Sequence, residues 1–175
     1  MGTAITWLIA FSIVVAAAFS TITGVISAES NRAESVSARD ERLIEELETS
    51  IKLVSAQSRD KRKQIEIVLT NDGRRSLAEF EEWIITVRYD QDKEAGETYT
   101  VPFYSDSLVD NSWITFSFWL DYDSSQAELI EPERFNVHEE MVIRIKLDPK
   151  MEKNKPVVVT ITTPVGFTET IIFES

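Results

Sequence analysis

The stretch QIEIVLTNDG, residues 64–73, shows the pattern that decides how most of the chain folds. Apolar side chains at Ile65, Ile67 and Leu69 alternate with polar neighbours, and a period of two residues is typical of a β-strand with one buried face. Residues 71–73, Asn-Asp-Gly, have the composition of a tight turn, because asparagine and glycine tolerate backbone conformations that other residues avoid. The stretch therefore predicts a strand followed by a turn.

Strand-like runs recur through the rest of the chain. They cover residues 82–89, 98–104, 113–120, 141–147, 156–163 and 167–173. Seven or so short strands within about 110 residues predict a two-sheet antiparallel β-sandwich of immunoglobulin-like architecture over residues 64–175. Within this sandwich we expect Trp83, Trp113 and Trp119 to be core aromatics.

The segment before the predicted sandwich has a different period. Residues 29–58 contain no glycine or proline, and their apolar side chains recur at helical spacing. This apolar stripe consists of Val36, Leu43, Leu47, Ile51 and Val54. One apolar stripe on an otherwise polar helix is typical of a helix that packs against another surface. The pattern predicts an amphipathic helix over residues 29–58.

Residues 3–28 carry no charged side chain. As a helix, residues 4–28 would be roughly 37 Å long, enough to cross a hydrocarbon core of about 30 Å. A cleaved signal peptide is a poor fit, because its apolar core has only about 7–15 residues and follows a basic region. The run is therefore expected to lie in a membrane or among copies of itself.

Together these segments predict the fold class α+β. A long N-terminal helix over residues 1–58 is expected, apolar over 1–28 and amphipathic over 29–58, followed by the antiparallel immunoglobulin-like β-sandwich of residues 64–175. Such a helix would be one continuous rod, because no helix-breaking residue separates its two halves from each other.

Composition excludes several classes of function. The 18 Lys and Arg against 30 Asp and Glu give a net charge of −12, which argues against nucleic acid as a partner, because phosphate neutralisation needs a basic face. No cysteine is present, so disulfides, thiolate metal sites and cysteine nucleophiles are excluded. With one histidine and five glycines, histidine metal clusters and phosphate-binding loops are not expected.

Candidate catalytic and metal-binding residues are few. Asp106, Asp110, Asp121 and Asp123 fall in predicted loops without a partner nucleophile. Residues 121–125 resemble the start of a calcium loop, but the glycine and glutamate that such a loop needs later are absent. We therefore expect no enzymatic activity, no catalytic residue, no cofactor and no metal site.

Residues 59–63, Arg-Asp-Lys-Arg-Lys, form a short basic cluster. One interpretation is a contact with anionic lipid or with a partner. The simpler interpretation is a solvated linker at the end of the predicted helix, where cations complement the helix dipole. The second interpretation is favoured.

Several stretches resemble archaellins, the filament subunits of the archaellum within the type IV pilin-like superfamily. Residues 3–18 are similar in texture to the start of that family's helix. Residues 67–73 and 83–85 resemble its first strand, Asn-x-Gly turn and second strand, residues 135–141 resemble its approach to a late strand, and residues 162–166 resemble the turn before its last strand. Ile5 stands where bacterial type IV pilins have glutamate, which favours the archaellin branch.

The resemblance implies an extracellular filament subunit for swimming motility that polymerises through its N-terminal helix with many copies of itself. Before assembly such a subunit is inserted in the cytoplasmic membrane, where a leader peptidase processes it and the archaellum motor platform receives it. Small residues in the apolar run would permit close packing of the helices. The helix-core assembly residues are expected to be Ile5, Leu8, Phe11, Val15, Ala17, Phe19, Ile22 and Gly24.

The same features also fit a membrane-anchored β-sandwich binding module, such as an archaellum stator component. A stator needs only a membrane span and a linker, whereas a filament subunit needs a long rigid helix. The predicted continuity of one helix from residue 3 to residue 57 favours the filament subunit.

Overall fold

The structure is a computed structural model. It describes residues 32, 36–92, 96–123, 126–127 and 133–175. The chain divides into two compact units, Met1–Ile44 and Glu45–Ser175. The predicted apolar segment, residues 1–28, lies outside the described residues, so what was expected of it stays a prediction.

Within the described part of the chain, one short α-helix precedes the strands. This helix, α1, covers residues 36–48, and Arg32 is also helical. It ends at Thr49, whose hydroxyl donates a 2.8 Å hydrogen bond to the Glu45 carbonyl and whose backbone N–H donates to the same oxygen at 3.1 Å. The predicted fold class is therefore wrong in its helix: the described residues are mostly a β-sandwich with one short helix, and Ile51–Arg59 is a strand.

The strand at Ile51–Arg59, β1, explains why the helical pattern misled. It pairs antiparallel with Gln64–Asn71, β2, along its whole length, and a bulge at Val54 interrupts the register. The bulge breaks the period of two, and the position of β1 at a sheet edge leaves apolar Val54 42% exposed. Pairing with β2 satisfies the backbone groups on one side of β1, and Ile51 is buried, so tertiary contacts override local helical propensity.

The first sheet holds the two strands just described and four others. Its order is β1 (Ile51–Arg59), β2 (Gln64–Asn71), β8 (Glu140–Lys146), β6 (Ser112–Asp121) and β5 (Phe103–Tyr104), with β7 (Gln126–Ala127) paired to the far end of β6. All pairs are antiparallel except β5 with β6, which is parallel. The prediction of a wholly antiparallel sandwich is therefore corrected at β5.

The second sheet has four antiparallel strands. Its order is β10 (Thr168–Glu174), β9 (Pro156–Thr162), β3 (Ile84–Asp90) and β4 (Glu97–Thr100). The predicted single strand at residues 98–104 is thus two strands in different sheets, because Val101-Pro102 carries the chain from β4 across to β5. Proline has no N–H for a strand ladder, so the break at this point has a local cause.

β2 ends at Asn71, whose Oδ1 accepts a 3.1 Å hydrogen bond from the Gly73 N–H, but residues 71–73 do not lead into a hairpin, because β2 and β3 lie in different sheets. Gly73 instead permits a close approach of the backbone. A Cβ at this position would lie 2.6 Å from the Glu48 carbonyl oxygen and 2.7 Å from the Ser50 nitrogen. Glycine is therefore required here by packing against the chain between α1 and β1.

The core lies between the two sheets and takes its buried side chains mainly from β2, β3, β8 and β9. Ile65, Ile67 and Leu69 of β2 are fully buried in it, as the alternation in the opening stretch predicts. Of the three tryptophans expected in the core, Trp83 and Trp113 are buried, at 4% and 0% exposed. Trp119 is not in the core: its ring makes an edge contact with Tyr122, with 6.0 Å between the ring centres.

Candidate interaction surface

The assembly residues expected from the resemblance, Ile5 to Gly24, lie outside the described residues, and their role stays a prediction. Among the described residues no helix is long and apolar enough to cross a membrane. Of the predicted helical stripe, the three residues that lie on α1 are exposed: Val36 is 57% exposed, Leu43 47% and Leu47 85%. These three residues share one helix face, and its exposure leaves an apolar surface to be covered.

The acidic residues singled out in the sequence do not come together. Within the described ranges no group of three or more His, Asp or Glu side chains could hold a metal ion. Asp110 instead pairs with Lys146 at 2.9 Å, and the hydrogen bond from that lysine lowers the pKa of Asp110.

His138 lies on an exposed turn with φ of 69°, where its backbone N–H donates to the Asn71 carbonyl at 2.7 Å.

The basic cluster at residues 59–63 is the tip of the hairpin between β1 and β2, so its interpretation as the end of a helix is wrong. Three consecutive residues, Asp60, Lys61 and Arg62, have φ of 47°, 54° and 69°. Non-glycine residues rarely adopt this left-handed conformation. Two backbone carbonyls of the tip nevertheless accept hydrogen bonds. The Arg62 carbonyl accepts from the Met151 N–H at 3.0 Å, and the Lys63 carbonyl accepts from the Leu147 N–H at 2.8 Å.

The face of the first sheet that points away from the core carries a buried carboxylate. Glu66 of β2 is only 2% exposed. Its Oε1 accepts from Arg59 Nε at 2.9 Å and from Gln57 Nε2 at 3.1 Å, and its Oε2 accepts from Arg144 Nε at 3.0 Å. The Arg144 guanidinium also stacks 3.3 Å from the centre of the Phe116 ring, a cation–π contact. We refer to Arg59, Glu66, Phe116, Tyr122 and Arg144 as the outer-face cluster.

Tyr122 covers the middle of this face. Its backbone N–H donates to Glu140 Oε2 at 2.7 Å, and its hydroxyl donates to Glu66 Oε1 at 3.4 Å. Glu140 and Glu66 lie on either side of the row in which Val68 of β2 pairs with Val142 of β8. These two valines point away from the core and are 0% and 1% exposed.

The ionisation of Glu66 depends on its two arginines. Burial by itself would raise the pKa of Glu66, but the hydrogen bonds and charges of Arg59 and Arg144 outweigh burial and lower the pKa below its ordinary value. Glu66 is therefore ionised at neutral pH. This cluster cannot be predicted from the sequence, because Glu66 alternates with apolar residues like any solvent-facing strand residue, and because residues 51–58, most of β1, have a helical pattern.

A groove opens beside β6 on the other side of the same sheet. It has a volume of about 430 Å³. Aromatic side chains of three segments line it: Phe80 precedes β3, Tyr104 belongs to β5 and Phe118 to β6. The rings of Phe80 and Phe118 lie 5.6 Å apart. Glu79, Glu81, Glu133 and Arg134 form its charged rim. We call this the β6 groove.

Comparison with known proteins gives structural likenesses only. No protein-family model matches the sequence, and no curated protein matches it. The archaellum periplasmic stator protein FlaG from Sulfolobus acidocaldarius shares 16% identity at a TM-score of 0.51 over 71% of this chain and 99% of that chain. A chain in the FlaF and FlaG stator complex of the same organism shares 14% identity at 0.51 over 70% of this chain and 87% of that one.

A further likeness extends over more of this chain. The archaeal flagellum of Methanospirillum hungatei strain JF1 matches at a TM-score of 0.54 with 13% identity, over 98% of this chain and 90% of that chain. At these identities the likenesses concern the fold. The solved structures that share the fold of this chain thus include archaellum components of two kinds, stator proteins and the archaeal flagellum.

Proposed function

We propose that this chain is a structural, non-enzymatic component of an archaellum-like surface appendage, and that it serves as a subunit of the filament. The proposal rests on the share of this chain that each structural likeness covers. The likeness to the archaeal flagellum of Methanospirillum hungatei covers 98% of this chain, against 71% and 70% for the stator proteins. The sandwich unit, Glu45–Ser175, is too short to account for that coverage by itself.

The exposed face of α1 supports assembly into a polymer. Leu47, at 85% exposed, and Val36, at 57%, present apolar surface to water in the single chain. Neighbouring copies can cover this face together with the uncharged run of residues 3–28. A contact between unlike surfaces of identical copies that does not close into a ring produces an open helical filament. The net charge of −12 would keep the outer surface of that filament soluble.

The proposal has consequences for partners and location. Its main partner is other copies of this chain, outside the cell in the filament. Before assembly, the uncharged run of residues 3–28 would hold the subunit in the cytoplasmic membrane, where a leader peptidase and the motor platform act on it. No cofactor and no nucleic acid takes part.

A stator role is the second candidate, and a separate observation favours it. The likeness to FlaG covers 99% of that stator chain. In addition, the long continuous helix that favours a filament subunit over a stator is interrupted, because the chain enters β1 after α1. A sandwich joined to a short helix is sufficient for a module that binds an envelope component while its apolar run stays in the membrane.

The experiment that separates the two roles is electron microscopy of filaments sheared from cells that express this chain. Mass spectrometry of the filaments and of the membrane fraction identifies where the chain is found and which residue begins it. If the chain is the dominant species in the filaments, it is a filament subunit. If it occurs only in the membrane fraction of cells that do carry filaments, the filament role is wrong and the stator role replaces it.

A further inference from the structure

The face of the second sheet that points away from the core is uncharged over most of its area. Alternate side chains of β3, β9 and β10 face the core, so the residues between them point outward. The register of the three strands places eight such residues side by side: Ile84, Thr86, Val158, Thr160, Thr162, Thr168, Thr170 and Ile172. None of the eight is charged, although 27% of the chain is. We call them the threonine face.

The threonine face can be covered at little cost. Ile84 is 54% exposed and Ile172 is 67% exposed, so apolar surface is available for burial. Four of the threonine hydroxyls already lie within hydrogen-bond distance of one another across β9 and β10, at 3.4 Å for Thr160 with Thr170 and at 3.2 Å for Thr162 with Thr168. A partner that excludes water from this face therefore does not leave these hydroxyls without a hydrogen bond.

One base borders the threonine face. Arg88 lies opposite Val158 in the register of β3 and β9, and it is the only basic side chain at an outward-pointing position of this sheet within the described residues. Its partner is Glu97, at 3.2 Å, and the two side chains are 53% and 58% exposed. An ion pair as exposed as this one contributes little, so Arg88 can exchange its partner for another acid.

The apolar face of α1 has the complementary composition. Leu47 is 85% exposed, Val36 57% and Ile44 54%. Asp40 follows Val36 by four residues and precedes Ile44 by four, so it lies on the same helix face. In the part of the chain that the structure describes, Asp40 forms no ion pair. The helix thus presents one unpaired acid among apolar side chains, and the sheet presents one base beside an uncharged face.

The two surfaces also match in length. The helix α1, residues 36–48, is about 20 Å long, and the seven residues of β3 span about 23 Å. Asp40 lies about 10 Å from Leu47 along the helix axis, and Arg88 lies about 13 Å from Ile84 along the strand. With Leu47 packed on Ile84, the long arginine side chain can therefore reach the Asp40 carboxylate.

We propose that α1 of one copy packs its apolar face on the threonine face of a second copy, with Asp40 paired to Arg88. In the single chain both surfaces are exposed to water, and burial of both is favourable. The contact rests on the proposed filament role and deepens it. Because α1 and the threonine face are unlike surfaces, each bound copy leaves one of each free for the next copy, and the assembly stays open.

The test uses the absence of cysteine from the chain, which makes any disulfide the product of introduced residues. The full chain carrying Leu47→Cys and Ile84→Cys is oxidised in detergent micelles and in filaments sheared from cells, and non-reducing electrophoresis separates the products. A disulfide needs Cα atoms about 4.4–6.8 Å apart. We expect a ladder of dimers, trimers and larger species. Ala38→Cys with Ile84→Cys places the thiol on the opposite face of α1 and should give at least about tenfold less product.

A mixing experiment shows that the contact joins two copies. Chains with only Leu47→Cys are mixed in micelles with chains that have only Ile84→Cys, and the two kinds carry different tags. We expect disulfide-linked dimers that contain both tags, because each chain supplies one of the two surfaces. A disulfide that forms in the double variant as a monomer, with no mixed dimer here, would place the contact within one chain and overturn the proposal.

Charge reversal tests the pairing of Asp40 with Arg88. On the background of the two cysteines, Asp40→Arg alone or Arg88→Glu alone should lower the cross-linked fraction at least about twofold. The combination of both reversals should restore it, because the charges are again opposite. Arg74→Glu, at an exposed position outside the threonine face, is the control and should cross-link like the background. Failure of the combination to recover would show that these two residues do not meet.

The filament role and this contact fail separately. If the chain is the dominant species in filaments and the cysteines at positions 47 and 84 do not cross-link there, the contact is wrong and the filament role remains. A product that stops at the dimer would also overturn the contact, because it indicates a closed pair. If the ladder forms in micelles while the chain is absent from filaments, the contact between copies is supported and the filament role is wrong.

Discussion

The side-chain amide of Asn71 donates a 2.8 Å hydrogen bond to the backbone carbonyl of Phe135, a residue 64 positions away. The same nitrogen donates to the Arg75 carbonyl at 2.8 Å, and the Asn71 Oδ1 accepts from the Gly73 N–H at 3.1 Å. Asn71 is fully buried, and so is its bond to Phe135, so water cannot replace that bond. The asparagine that the sequence assigns to a turn thus joins the end of β2 to the segment before β8.

We predict that Asn71→Ala lowers the free energy of unfolding by about 2–4 kcal/mol, because two backbone carbonyls and one N–H lose their side-chain partner in the interior. Urea unfolding followed by tryptophan fluorescence measures the change. Gln64→Ala is the control on the same strand and should change stability by less than about 0.5 kcal/mol. An Asn71→Ala variant as stable as the control would contradict the role of Asn71.

Glu66→Gln should destabilise the chain by about 1–3 kcal/mol. Glutamine keeps the shape and one acceptor oxygen, but it leaves Arg59 and Arg144 without a counter-charge. The loss is limited because the side chains of these arginines are 47% and 30% exposed and water screens them. Thermal unfolding gives the comparison, with Glu174→Gln as the exposed control. Equal melting temperatures for the two variants would show that the outer-face cluster contributes no stability.

The outer-face cluster also predicts a dependence of stability on acid. The pKa of Glu66 is lower in the folded chain than in the unfolded chain, so the unfolded chain takes up this proton first. The contribution of Glu66 is complete above its ordinary pKa of about 4.3 and is lost as the pH falls through the lowered value. The difference in unfolding free energy between the unchanged chain and Glu66→Gln should therefore shrink below about pH 4.3. A difference that stays constant down to pH 2 would refute this.

Lys61→Gly should stabilise the chain by about 0.5–1 kcal/mol, because glycine adopts the left-handed φ of 54° without the steric cost that other residues have. The Lys61 side chain is exposed and makes no ion pair among the described residues, so its loss removes little. Lys61→Ala keeps the Cβ and should give no such gain. If both variants shift the urea midpoint equally, the effect comes from the lost charge and not from the backbone.

Leu47→Glu should abolish filament formation in cells if the exposed face of α1 is covered by neighbouring copies. Burying a carboxylate in an apolar contact is unfavourable by several kcal/mol, whereas Leu47 is 85% exposed in the single chain, so folding should be unaffected. Ala38→Glu adds the same charge on the opposite face of α1 and should still give filaments. Normal filaments from both variants would show that this face stays open.

The strands of the sandwich could be predicted from the sequence, since alternation and turn residues are local signals. Residues 156–163 and 141–147 correspond closely to β9 and β8. β1 could not be predicted, because its bulge at Val54 and its edge position remove the alternation. The short β7 was also missed: two exposed residues that pair only through β6 carry no pattern of their own.

The candidate sites were less accessible to prediction than the strands. The apolar stripe on α1 is visible as a period in the sequence. The outer-face cluster is not, because Arg59, Glu66 and Arg144 come from three strands whose register brings them together. The β6 groove is not visible in the sequence either, because its lining comes from the segment before β3, from β5, from β6 and from the segment before β8.

By itself the sequence determined the acidic, cysteine-free character of the chain, its uncharged run at residues 3–28 and the positions of most strands. These are properties of composition and of neighbours along the chain. Contacts between distant segments alone fix that the chain leaves α1 at Thr49 and enters β1, and that β2 and β3 lie in different sheets. The physical reason is that strand pairing is satisfied by residues far away in sequence, so its outcome depends on which partner strand completes the backbone hydrogen bonds.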